Sequence, residues 1–87
     1  MRIADLLLPG EENAVTIAYL TSVATLPSRE IRQMIQRERL EGAAICSNNS
    51  TGYFLAETDE ERERFVRSMR HRSKEIARVA DAVEKRG

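Results

Sequence analysis

Thr16-Ile17-Ala18-Tyr19-Leu20-Thr21-Ser22-Val23-Ala24-Thr25-Leu26-Pro27-Ser28-Arg29-Glu30-Ile31-Arg32-Gln33-Met34-Ile35-Gln36-Arg37 is the stretch that decides the fold. Thr16 is suited to cap a helix that carries Ile17 and Leu20 on one side. Thr25-Leu26 makes a tight connection. Pro27 lacks an N–H that a helix's first turn would leave unpaired anyway, so a second helix begins at Pro27 or Ser28. It runs to about Glu41, where Gly42 can supply a left-handed cap. Two short helices around a tight turn are helix–turn–helix grammar.

At about 100° per residue, Ile31, Met34, Ile35 and Glu38 gather on one side of the second helix, the first three facing the core. Arg29, Gln33 and Gln36 point the opposite way, with Arg32 and Arg37 beside them. That outer face has no carboxylate until Glu30 on its flank. Arginine pairs with guanine edges and glutamine with adenine edges in the major groove. Ser28, Arg29, Arg32, Gln33, Gln36 and Arg37 are therefore the candidate DNA-binding residues. Ala43–Ser47 and Tyr53–Ala56 then read as two strands around Asn48-Asn49-Ser50-Thr51-Gly52, a hairpin of the kind that makes the winged variant. Wing residues Asn48, Asn49, Ser50 and Thr51 are polar and uncharged. They can hydrogen-bond to phosphate or sugar, and a purely structural hairpin is an equal alternative.

Outside this unit, the spacing of Ile3, Leu6 and Leu7 predicts a short first helix over Arg2–Leu8, stopped by Pro9-Gly10. Glu11–Asn13 reads as a loop and Ala14-Val15 as a minimal strand. Thr58-Asp59-Glu60-Glu61 is a capping box that opens a helical segment to roughly Glu84. Within it Phe65, Met69, Ile76, Val79 and Val83 fall close to a 3.5-residue repeat, with Arg72 interrupting. Phe65 and Met69 are expected to pack on the core. Ile76, Val79 and Val83 have little left to cover, which points to a partner helix and a homodimer. The block Arg62, Arg64, Arg67, Arg70, Arg72 and Lys74 reads as the wet side of the helix, phosphate contact being the minority alternative. The expected architecture is α+β, mostly α: a winged helix–turn–helix unit (three-helix core plus hairpin) over residues 1–57 and a C-terminal amphipathic helix over 58–87.

Eighty-seven residues give room for one modest core, and 41% hydrophobic with 32% charged residues is the soluble globular range. No apolar run is long enough for a membrane span, and Asp5 spoils residues 1–8 as a signal peptide. A single cysteine excludes an intramolecular disulfide, so a reducing cytoplasm is the expected compartment. A net charge of zero argues against indiscriminate coating of DNA. Catalytic chemistry is nearly absent. Cys46 has no histidine near it in sequence, and His71 with Glu75 supplies two ligands where a metal site needs more. The residues predict no enzyme, cofactor, metal or small-molecule substrate.

The run Leu8-Pro9-Gly10-Glu11-Glu12-Asn13-Ala14-Val15-Thr16, with Ser28-Arg29-Glu30-Ile31-Arg32, Gly42 and Gly52-Tyr53-Phe54, resembles small winged helix–turn–helix proteins of phages and prophages of Gram-positive bacteria. Met69-Arg70-His71-Arg72-Ser73-Lys74-Glu75-Ile76 resembles the long closing helix of that group. The resemblance covers nearly the whole chain and departs at Leu26-Pro27, where the group tends to have a polar helix cap. It implies a DNA-binding protein. Together with the outer face of the second helix, it leads to an expectation of sequence-specific binding to double-stranded DNA in phage or prophage transcription regulation. Two alternatives stand beside it: a replication or packaging component that marks a DNA site, and a module that grips another protein.

Overall fold

Residues 17–40 form two helices, α1 (Ile17–Ala24) and α2 (Ser28–Leu40), in the computed structural model, which describes residues 1–48 and 52–86. Thr16 caps α1 as its sequence predicts, its hydroxyl accepting from the Tyr19 N–H at 3.1 Å. The helix stops at Thr25, which takes a left-handed conformation (φ 57°). A β-branched residue there costs about 1–2 kcal/mol, and the sharp reversal into α2 is what that strain accomplishes. Pro27 precedes α2 in an extended conformation and offers no side-chain cap.

At its far end α2 closes with two reversed hydrogen bonds, Ala43 N–H to Glu38 C=O (2.9 Å) and Gly42 N–H to Arg39 C=O (3.0 Å). Gly42 sits at φ +107°, the left-handed position that this closure requires and that its sequence predicts. The chain then forms β1 (Ile45–Asn48) and β2 (Gly52–Leu55), an antiparallel hairpin in register Ile45–Leu55 to Asn48–Gly52. The other edge of β2 is also occupied: Val15 and Tyr53 exchange two hydrogen bonds of 2.9 and 2.8 Å. The minimal strand expected at Ala14-Val15 is therefore a single bridge. A Cβ built on Gly52, itself at φ +102°, would overlap the Val15 carbonyl oxygen, so only glycine fits there.

The first helix differs from the expected Arg2–Leu8. It is a four-residue 3-10 turn, Ile3–Leu6, followed by Leu7 in extended conformation. The reason lies in the sheet: Leu55 N–H donates to the Leu8 carbonyl (3.0 Å) and Gly10 N–H to the Leu55 carbonyl (2.9 Å), which a helix through Leu8 would forbid. A second 3-10 turn covers Glu11–Asn13. Ile3, Leu7, Leu20, Ile31, Ile35 and Ile45 form the buried core cluster, drawn from the first 3-10 turn and the residue after it, both helices and β1.

The final helix, α3 (Asp59–Arg86), is 28 residues long and so about 42 Å end to end, against a longest molecular extent of 45 Å. Its start is tied down by Glu61, whose carboxylate accepts from the Glu57 N–H (2.8 Å) and the Glu11 N–H (3.1 Å) while its own N–H donates to the Thr58 hydroxyl. Those bonds, Glu57 first, hold the Glu61 carboxyl below the ordinary carboxylate range. A folded value below the unfolded one contributes stability at pH above the ordinary carboxylate value, lost as pH falls through the lowered value. Glu61→Gln should accordingly flatten the acid limb of a stability-against-pH curve, measured by urea unfolding from pH 7 down to pH 3. An unchanged limb would remove Glu61 from that role. Phe65 packs half-buried against the hairpin, but Met69, expected in the core, is 36% exposed. The core is too small to reach it. Among the described residues, no helix is long and apolar enough to cross a membrane.

Candidate nucleic-acid interface

α2 presents two chemically different sides because its apolar residues recur at helical spacing. Ile31 and Ile35 are fully buried, and Met34 packs against the same cluster. The opposite side carries Arg29, Arg32, Gln33, Gln36 and Arg37, all exposed, while Ser28 is half-buried. Arg32 makes one long contact, Nη1 to the Ser28 hydroxyl at 3.4 Å. Arg29, Gln33, Gln36 and Arg37 make no hydrogen bond or ion pair among the described residues. Three arginines thus face solvent with Glu30 the single exposed acid within the helix. Exposed Arg and Gln heads without internal partners are free to meet an external acceptor.

Two α2 side chains do something that the sequence reading did not anticipate. Glu38 is buried, and its carboxylate accepts from the backbone N–H of Ile3 (2.7 Å) and Ala4 (2.9 Å). It caps the first 3-10 turn from 35 residues away. Arg39 turns from the outer face to bind the hairpin, Nε donating to the Ile45 carbonyl (2.8 Å) and Nη2 to the Ser47 hydroxyl (3.3 Å). Its guanidinium lies 4.7 Å from the centre of the Phe65 ring, a cation–π contact that also seats α3. Burial draws its pKa below the usual arginine value. Arg39 sits one turn after Ile35, on the flank of the apolar stripe. That placement was the available signal.

Asn48, expected in the hairpin loop, is the last residue of β1; it is half-buried and donates to the Glu11 carboxylate, which also receives Arg64 Nη1 at 3.2 Å. Asn48 is thereby engaged within the protein. Asn49, Ser50 and Thr51, the other candidate wing residues, lie outside the described residues. Along α3, Arg62 pairs with Asp59 and Arg78 with Glu75, whereas Arg67, Arg70 and Lys74 are exposed and have no ion pair among the described residues. Ile76, Val79 and Val83 are 64%, 63% and 67% exposed.

Cys46 is buried, and that burial pushes its thiol pKa up, away from the thiolate that nucleophilic or metal chemistry needs. Among the described residues, no three His, Cys, Asp or Glu side chains gather in a metal-binding group. The chain matches no protein-family model, no curated protein and no solved structure.

Proposed function

We propose that the protein is a winged helix–turn–helix DNA-binding protein of the cytoplasm, which reads a specific double-stranded site and acts in gene control of a phage or prophage. In this reading α1, the turn at Thr25 and α2 are the helix–turn–helix, and β1 with β2 is the wing. The outer face of α2 enters the major groove. The exposed ends of two α3 helices join two copies, so that a dimer meets two half-sites.

The observation that carries the proposal is the division of labour among the arginines of α2. Arg39 is consumed by internal contacts, yet Arg29 and Arg37 are left with no partner on a face that also holds Gln33 and Gln36. A face with four unpartnered Arg and Gln heads and a single acid, Glu30, on its flank is poorly explained by stability. It suits phosphate oxygens and base edges.

Selection from a random duplex library, followed by fluorescence anisotropy at several salt concentrations, tests the proposal. The selected site should bind at least about 10³-fold more tightly than scrambled duplex, and affinity should fall steeply with salt. Binding that shows neither preference nor salt dependence would end the DNA reading. Tyr19 and Val23, one turn apart on α1 and 49% and 46% exposed, would then favour the protein-gripping module. Mapping bound sites in the native host separates a regulator from a replication or packaging factor.

A further inference from the structure

The face of α3 that packs on its own core is the same face that lies bare further along. At about 100° per residue, Met69, Arg72, Ile76, Val79 and Val83 all fall within about 40° of Phe65 around the helix. On this face Glu61 and Phe65 are half-buried against the core, and from Met69 onward it is exposed. Phe65 lies under Arg39, Arg64 pairs with Glu11, and Ser68 and Arg72 border a cleft shared with Ser47, Asn48 and Phe54 of the hairpin. Beyond Arg72 the stripe continues as Ile76, Val79 and Val83, each more than 60% exposed.

We infer that a second copy of the chain covers this stripe with its own α3 running antiparallel, setting Ile76 against the partner's Val79 and Arg72 against the partner's Val83. The inference rests on the dimer proposed above and adds its direction and register. Sterics disfavour the parallel alternative. In a parallel pair the two-fold axis runs along the contact face for the whole length of the helix. The hairpin and the Glu11–Asn13 turn stand on that face, hence on the axis, where the copy's hairpin would have to stand as well. Antiparallel pairing sends the two cores to opposite ends and lays one bare stripe on the other.

Charge argues the same way. From Arg64 to Lys74 the helix carries five cations and no acid, whereas the stretch that follows is balanced, with Glu75, Asp81 and Glu84 against Arg78, Lys85 and Arg86. A parallel pair would stack Arg72 on its copy inside the seam and run the basic stretch beside itself, with like charges at close range. In the antiparallel register Lys74 lies opposite the partner's Asp81 and His71 opposite the partner's Glu84, while Arg70 meets the partner's Lys85, so the basic stretch faces a balanced one instead of its own copy. Ile76 and Val79 then form the central layers, and the stem of Arg72 covers Val83 at each end. Phe65 and its copy, where the helices leave their cores, stand about 38 Å apart along this rod at 1.5 Å per residue.

Disulfide trapping tests the inference on the full chain. In a Cys46→Ser background, which removes the native thiol, Arg72→Cys, Val83→Cys and the double variant are oxidised with a glutathione buffer and run on non-reducing gels. Arg72 and Val83 are exposed, Cys46→Ser is a near-isosteric change at a buried position, and circular dichroism checks that the fold is kept. The double variant should give a covalent dimer at least ten-fold more than either single variant, because only a 72-to-83 contact is close. Efficient cross-linking by Val83→Cys or Arg72→Cys alone would mean parallel pairing and overturn the antiparallel register while leaving a dimer. No cross-link from any variant overturns it too, and sedimentation of the unsubstituted protein then shows whether the dimer reading itself has failed.

Discussion

Glu38→Ala is expected to destabilise the protein by about 2–5 kcal/mol, a large share of the stability of so small a domain. The Glu38 carboxylate is the one buried charged group of the described core, and both of its oxygens are used, on the N–H groups of Ile3 and Ala4. A hydrogen bond to a charged acceptor contributes about 1.5–3 kcal/mol, and a buried donor left orphaned costs about 1–3 kcal/mol. Alanine removes the acceptor and leaves both donors behind. The first 3-10 turn would then lose its anchor, loosening Ile3 and Leu7, two of the six residues of the core cluster. Glu38→Gln keeps one acceptor oxygen and should lose about half as much. Urea unfolding of the three proteins decides the matter, with hydrogen exchange at Ile3 and Ala4 as the local readout. A loss under about 0.5 kcal/mol for Glu38→Ala would show that these bonds add little beyond what water supplies.

Glu38 also marks where sequence reading runs out. Helical periodicity placed it on the apolar side of α2, beside Ile31 and Ile35, but no local pattern tells that a carboxylate there is capping a turn 35 residues away. Long-range polar satisfaction has no period. The extended Leu7 has the same origin: Leu6-Leu7-Leu8 looks helical until Leu8 must pair with Leu55 across the sheet. By contrast, the Thr16 cap, the Gly42 closure and the start of α3 at Asp59 were legible, because each is fixed by residues within one or two turns of itself. The outer face of α2 was legible for a related reason. Burial of Ile31 and Ile35 orients the whole helix, so everything opposite them is exposed by geometry alone. Arg39 was the exception among its arginines, since its role depends on Phe65 of α3 arriving beneath it. Met69 missed the core because the extent of a small core, unlike the stripe of a helix, cannot be read from spacing.

Truncating Arg29, Gln33 and Arg37 separately is expected to dissect DNA binding without touching the fold. All three are exposed and bond to nothing among the described residues, so alanine at any of them should change stability by no more than about 0.5 kcal/mol. Arg29 and Gln33 lie one turn apart, near the N-terminal end of α2, the end that reaches base edges in helix–turn–helix docking. Loss of a base-edge contact costs about 1–3 kcal/mol, or roughly 5- to 150-fold in affinity, and relaxes preference at one base position. Arg29→Ala and Gln33→Ala should behave in this way, the first at a guanine and the second at an adenine. Arg37 sits one turn beyond Gln33, toward the end of α2 that leads into the hairpin, where a backbone phosphate is the nearer target. Arg37→Ala should weaken every sequence alike and reduce the salt slope by about one. Anisotropy against the selected site, single-base variants and scrambled duplex, each at three or more salt concentrations, separates these two signatures. If all three variants bind as the parent does, α2 is not what touches DNA. If all three lose affinity uniformly, the face is an electrostatic grip and sequence must be read elsewhere.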